Sequence, residues 1–204
     1  MTVSTQSAAA VPVTIVLRQL RDEMPPDYFT LDWVMGSLRK RSFGIVMLLL
    51  GLAAIAPGVS VAAGLLLMIP ACQLILGHAI PVFPRRIATH PIPTRRIEAL
   101  LRHAIPVLGY LEKAIHPRWQ MPPEPTGRAV GVIVLMLSAA LVFIPIPMSN
   151  IAPALVIVLI SLAWLEEDGL QLVVAMLAGV FISALAAAAV WEMVRGAEWV
   201  ARLW

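Results

Sequence analysis

Charged residues are scarce in this 204-residue chain, and three long stretches contain none. Lys, Arg, Asp and Glu make up 13% of the sequence and hydrophobic residues 60%, giving a mean hydropathy of +0.87. The uncharged runs are residues 42–84, 129–165 and 169–191. Because a membrane-spanning helix needs about 20 apolar residues, the third run predicts one span and each of the first two predicts a helical hairpin. We therefore expect an all-α, polytopic integral membrane domain over residues 1–204.

The chain also lacks the residue clusters that support catalysis. Its single cysteine, Cys72, excludes an intramolecular disulfide framework and a Cys-based metal site. The four histidines are too far apart in the sequence to suggest a metal site, and no charged residue lies inside the runs to form a proton relay or buried ion pair. We therefore expect no enzyme activity, no catalytic residue, no cofactor and no metal.

An acidic turn, residues 166–169 (EEDG), separates the second and third runs. Such a cluster can bind a hard cation. The alternative, which we favour, is that it ends one helix and begins the next, since acidic groups stabilise a helix N-terminus.

The basic residues predict an orientation in the membrane. Of the 15 Lys and Arg residues, 13 precede the first run or lie between the first two runs, and such loops face the cytoplasm. This places the N-terminus in the cytoplasm and, after the single third span, the C-terminus outside, in a bacterial inner membrane. The net charge of +3 favours a surface of anionic lipids, and no recognition motif indicates nucleic-acid binding.

The two hairpins resemble each other in sequence. An offset of 88 residues superposes Ile45 on Ile133 and Pro57 on Pro145, and both copies share a basic flank, an apolar half, a proline break and a second apolar half. We predict a first repeat at residues 13–84, a second at 94–165 and a C-terminal spanning helix at 169–194. Since both copies begin on the cytoplasmic side, the repeats are parallel.

Two amphipathic segments accompany the hairpins. Residues 94–116 predict a helix on the membrane surface, capped by Thr94 and kinked at Pro106, with Leu101 and Ile105 on its apolar face. Residues 30–41 predict a shorter counterpart capped by Thr30.

Proline and polar residues interrupt both hairpins at their centres. Three of the arms, residues 42–56, 129–144 and 150–165, have only 15 or 16 residues, about 24 Å of helix at most against a hydrocarbon core of about 30 Å, so re-entrant tips that meet inside the membrane are one prediction. Irregular backbone at that depth requires burial in protein or contact with water. The alternative is a pair of tight turns at the outer interface. In the re-entrant case, the candidate binding pocket comprises Pro57, Ser60, Gln73, Pro145, Ser149, Asn150 and Ser161.

Small residues recur every four positions in the third run, at Ala175, Gly179, Ser183 and Ala187. Such a stripe lets helix backbones approach closely. It predicts packing within the chain or, alternatively, a homodimer contact.

Several short motifs occur in a characteristic order: LRKRSFG at residues 38–44, APGVS at 56–60, QLILG at 73–77, HPRW at 116–119, IPIPMSNIAPA at 144–154 and EEDG at 166–169. Over nearly all of residues 13–191 this order resembles the ExoD family, which is associated with bacterial exopolysaccharide synthesis. The resemblance implies a role in exopolysaccharide synthesis or export. It supplies no catalytic residues, so we expect either a binding or conducting site for a small polar solute or ion, or a scaffold for polysaccharide-synthesis proteins.

Overall fold

The chain is described by a computed structural model. It describes residues 13–30, 33, 42–56, 58–78, 80–89, 92–95, 98–99, 101–102, 105–106, 109, 123–143 and 149–201. The helices and strands in these ranges are α1 (Val13–Glu23), β1 (Tyr28–Phe29), α2 (Ser42–Ile55), α3 (Ser60–Ile75), α4 (Arg85–Ala88), β2 (Ile92–Pro93), α5 (Pro123–Phe143), α6 (Ile151–Leu165) and α7 (Gly169–Ala201).

The predicted all-α class is confirmed, with one small addition. Two-residue strands β1 and β2 pair antiparallel, with Tyr28 opposite Pro93 and Phe29 opposite Ile92. Proline has no N–H to donate to a ladder, which keeps this pairing short. It nevertheless ties the N-terminal segment to the segment that follows the first hairpin.

Helices α2 and α3 form one hairpin, and α5 and α6 form the other. The most extensive contacts cross between the hairpins, α3 against α5 and α2 against α6, and α7 then packs on α6 and α5. One apolar core runs through all five helices, and its fully buried members include Val46, Leu67, Leu137 and Ile157. Contacts between the two hairpins are therefore more extensive than contacts between the two helices of either hairpin.

Three of the four hairpin helices are short. α2, α3 and α6 have 14, 16 and 15 residues, which is about 21 to 24 Å of helix. By length and apolar composition, the described part of the chain has two candidate membrane spans, Thr126–Phe143 and Gly169–Arg195. These two helices fit a membrane protein, and the depth of the two tips stays a prediction.

The first helices of the hairpins end 88 residues apart, at Ile55 and Phe143, which is the offset read from the sequence. In the second helices, however, the pattern of burial recurs with an offset of 90. The buried pairs at that offset are Ala63 and Pro153, Gly64 and Ala154, Leu67 and Ile157, Pro70 and Ile160, and Ala71 and Ser161. At this offset Gln73 corresponds to Ala163, so Gln73 and Ser161 are not equivalent by burial.

The predicted surface segments are packed against protein at several points. The backbone N–H of Trp33 donates to Thr30 Oγ1 at 3.3 Å, as expected of a cap. Thr94 donates its hydroxyl to the carbonyl of Pro25 at 2.8 Å, and the N–H groups that it is predicted to cap lie outside the described residues. Leu101 and Ile105 are buried in a cluster with α1 and α2, so at these two positions the apolar face is covered by other helices.

The helices α3 and α6 end in the same kind of turn, made by different residues. At the end of α3, His78 N donates to Gln73 O and Gly77 N donates to Leu74 O, with Gly77 at φ +78°. This is the Schellman arrangement, in which the left-handed position favours glycine. At the end of α6 that position holds Glu167, at φ +55°, where a side chain is strained.

We expect Glu167→Gly to stabilise the protein. Left-handed backbone costs a residue with a Cβ roughly 1–2 kcal/mol, and the greater entropy of glycine in the unfolded chain offsets part of the gain. The expected net effect is about 0.5–1 kcal/mol, measured by thermal unfolding in detergent. The control is Glu166→Gly at a residue with ordinary φ, −82°, whose Oε1 accepts from Val13 N at 2.9 Å; this change should destabilise. Equal changes in thermal stability from both variants would show that the positive φ of Glu167 does not strain the fold.

Candidate functional site

The two hairpin tips meet through a pair of polar side chains. Asn150 Nδ2 donates to Ser60 Oγ at 2.7 Å, across a separation of 90 residues. Ser60 is the first residue of α3 and is 3% exposed, and Asn150 directly precedes α6. The 90-residue offset that relates the burial of α3 and α6 also relates these two residues. The contact therefore joins the starts of the second helices of the two hairpins.

The other polar atom of Asn150 is unpaired. Its Oδ1 is buried, and no described residue hydrogen bonds to it. A buried polar atom without a partner costs about 1–3 kcal/mol, and most buried side-chain polar atoms in proteins are paired. In a contact this close to the apolar core, such an atom needs an explanation, and a role in binding is one.

The residues at the cap positions of the two helices that start at the tips make no cap hydrogen bond with their own side chains. Asn150 occupies the cap position of α6, and Val59 that of α3, and neither makes a side-chain cap hydrogen bond. The first N–H groups of a helix need partners outside the helix. The contact therefore combines one hydroxyl and one amide at two helix starts whose cap residues make no side-chain cap hydrogen bond.

The remaining predicted pocket residues lie elsewhere or outside the described residues. Pro57 and Pro145 fall outside them, and Ser149 is partly buried beside Asn150. Gln73 lies 13 residues from Ser60, about 20 Å along the helix; its Nε2 donates to the carbonyl of Val82, and its Oε1 accepts from Val82 N at 2.8 Å. Gln73 thus holds the loop after α3.

Ser161 lies far from the tip as well. Its Oγ donates to the carbonyl of Ile157 at 2.7 Å within α6, and it is fully buried. Ser138 is not among the predicted pocket residues. Its Oγ makes the same type of bond, donating to Val134 O at 2.6 Å. The structure thus brings together Ser60 and Asn150, while Gln73 and Ser161 make their hydrogen bonds away from the tips. A binding role for any of the seven stays a prediction.

The acidic turn acts as a helix cap. Asp168 Oδ1 accepts from the backbone N–H groups of Leu170 at 3.0 Å and Gln171 at 3.3 Å, as an N-cap carboxylate does. This agrees with the interpretation that the turn ends one helix and begins the next. The Glu166 carboxylate, which accepts from Val13 N, connects the turn to the start of α1, a contact that no sequence pattern indicated.

The small-residue stripe of α7 is divided between two environments. Ala175 and Gly179 are buried inside the chain, and a Cβ placed on Gly179 would lie 2.5 Å from Ile133 Cγ2. Ser183 and Ala187 instead border an apolar groove of about 390 Å³ between α5 and α7, which Met136, Phe143 and Trp191 also line. The inner half of the stripe supports packing within the chain.

We expect Gly179→Leu to destabilise the chain itself. The added side chain would collide with Ile133, and overpacking of this kind costs about 1–3 kcal/mol. Thermal unfolding and particle mass should be measured together in detergent. Ala187→Leu is the matched comparison, since Ala187 is exposed and should leave stability unchanged. A dimer through the outer half of the stripe would be revealed by a lower mass for Ala187→Leu, whereas an unaltered melting temperature for Gly179→Leu would contradict the packing described above.

Comparison with known proteins identifies relatives by sequence. The family described as "Exopolysaccharide synthesis, ExoD" matches residues 13–188. An uncharacterized protein of Synechocystis sp. is 28% identical over 168 residues, covering 80% of this chain and 79% of that protein. Protein ExoD of Rhizobium meliloti is 29% identical over 120 residues, which is 56% of this chain and 49% of ExoD. No solved structure matches.

Proposed function

Since the chain belongs to the ExoD family, we propose that it contributes to exopolysaccharide synthesis or export as a non-enzymatic component of the bacterial inner membrane. In this proposal, the contact between the hairpin tips is the working part. It binds or conducts a small polar solute or ion between the two hairpins. Membership of the family supports the role in exopolysaccharide synthesis. The geometry of the contact between Ser60 and Asn150 supports the proposal that the protein binds or conducts a solute.

The observation that carries the proposal is the hydrogen bonding of the Asn150 side-chain amide. Its amide nitrogen joins the two hairpins, while its oxygen is buried without a partner among the described residues. A residue retained only to link the tips would gain from a fully paired side chain. An unpaired acceptor beside two helix starts is better explained as a group that a solute or ion contacts.

Flux through reconstituted protein tests this mode of action. The full chain in liposomes should pass an ion or a small sugar faster than empty liposomes, and Asn150→Ala should reduce the rate at least tenfold. The matched control is Gln73→Ala, which removes a polar side chain from the opposite end of α3. If neither ions nor sugars cross faster, and Asn150→Ala still restores exopolysaccharide production in a deletion strain, the conduction proposal fails.

A scaffold for polysaccharide-synthesis proteins is the second candidate. The observation in its favour is a set of exposed basic side chains on α1 and on the described residues between positions 94 and 109, namely Arg18, Arg95 and Arg102. Reversing these charges together should then abolish exopolysaccharide production without changing flux. The tip proposal expects exopolysaccharide production to persist when these charges are reversed and to fall when Asn150 is replaced.

A further inference from the structure

The bundle has two chemically different sides. Large apolar side chains are exposed along three helices, on α3 at Val61 and Leu65, on α5 at Val132 and Met136, and along much of α7. On α7 the exposed set includes Val174, Leu177, Val180, Phe181 and Leu185. We call the outward surface of α3, α5 and α7 the apolar side. In contrast, every residue of α2 from position 42 to position 52 is buried.

A layer of amphipathic segments covers α2 and the adjoining part of α6. Val13, Leu17 and Leu20 of α1 form one buried cluster with Leu101 and Ile105; its members on α2 and α6 are Ile45, Leu48, Leu49, Leu52, Val158, Leu162 and Leu165. We call α1 together with the described residues between positions 94 and 109 the charged layer. Ile55, Met24 and Trp33 extend the cluster, so it follows α2 over ten residues, about 15 Å.

The outer surface of the charged layer is not compatible with hydrocarbon. Its exposed side chains include Arg18, Gln19, Asp22, Glu23, Arg95 and Arg102. A single Arg, Lys or Asp at the centre of a membrane helix costs about 2.5–3.5 kcal/mol. Several such groups on one surface keep that surface in water or among lipid headgroups, whereas the apolar side carries no charge between positions 169 and 191.

We propose that the bundle sits asymmetrically in the bilayer, with the apolar side in contact with hydrocarbon and α2 shielded from lipid by the charged layer. Water then reaches the charged layer alongside α2, toward the first tip. The inference holds whether or not a solute binds at the tips.

The proposal predicts which helices react with a photoactivated hydrophobic carbene dissolved in the bilayer. In liposomes containing the full-length, unmodified chain, peptides from α3, α5 and α7 should carry the label, and those from α2 should carry at least fivefold less. Labelling of α2 to the same extent as α7 would overturn the proposal. Absence of label from α3, α5 and α7 would do so as well.

A pair of variants in α1 tests whether the charged layer causes the protection. Leu17→Asp places a charge at a fully buried contact with the cluster and should expose α2 to the carbene. Ile15→Asp makes the same chemical change at a position that is 52% exposed and should leave α2 protected. If Leu17→Asp fails to fold, the labelling pattern of the unmodified chain still tests whether α2 is shielded from lipid. Protection of α2 in a folded Leu17→Asp protein would contradict the shielding role of α1.

Discussion

Replacing Gly131 by alanine is expected to cost about 2–3 kcal/mol of stability, although alanine is the better helix former. A Cβ on Gly131 would lie 2.7 Å from the carbonyl oxygen of Ala71 and 3.0 Å from the backbone nitrogen of Ile75. Both are backbone atoms of α3, which cannot move aside as a flexible side chain does. The clash would separate α3 from α5, the helices with the most extensive contact, and overpacking in such a site costs about 1–3 kcal/mol or more.

Gly127→Ala is the control for this prediction, because it makes the same change in the same helix. There a Cβ would approach nothing closer than 3.5 Å, at Trp164, which is an ordinary contact. Alanine at a helical position should stabilise by about 0.5–1 kcal/mol relative to glycine. Both variants are compared by thermal unfolding in the same detergent. Stabilisation by both would show that α3 and α5 are not packed this closely.

Replacing Asn150 by alanine is expected to reduce function strongly while changing stability little. The substitution removes one hydrogen bond and leaves the buried Ser60 hydroxyl without this partner, but it also removes the Asn150 oxygen, which is buried without a partner among the described residues. The two effects oppose each other, so the change in unfolding free energy should not exceed about 1 kcal/mol. Exopolysaccharide production in a complemented deletion strain, and flux in liposomes, should fall at least tenfold.

The expected separation of stability from function distinguishes a binding group from a structural link. If Asn150 only links the tips, its loss should reduce stability and function in parallel. Ser60→Ala removes the partner hydroxyl, and the double variant should be no worse in function than Asn150→Ala alone, because both residues act in one contact. Gln73→Ala should show the opposite pattern, since it removes both hydrogen bonds to Val82: lower stability and normal function.

Local features of the fold could be predicted from the sequence. Uncharged runs with proline breaks indicated the hairpins, because apolar helices and prolines act through their immediate neighbours. The bond between Thr30 and Trp33 and the cap at Asp168 were predictable for the same reason, since donor and acceptor lie within three residues of each other. Of the candidate pocket residues, Ser60 and Asn150 make contact, whereas Gln73 and Ser161 do not join them.

Contacts between distant segments could not be predicted in this way. The 90-residue offset of burial at the second helices differs from the 88-residue offset read from the sequence, and apolar matches between Leu or Ile residues do not distinguish the two. The seating of α1 on α2 and the bond from Val13 to Glu166, 153 residues away, depend on tertiary packing. An amphipathic pattern shows that one face of a helix is covered, but both a membrane surface and another helix can cover it.

Cross-linking between the two tips tests most directly whether the hairpins meet at Ser60 and Asn150. Single and paired cysteines are introduced into the full chain with Cys72→Ser, and intact membranes are treated with a short reagent that joins two thiols. Ser60→Cys combined with Asn150→Cys should form an intramolecular cross-link in most molecules. Gln73→Cys combined with Asn150→Cys, at opposite ends of the hairpins, should form none. Failure of the first pair, or equal cross-linking of both pairs, would contradict the meeting of the tips.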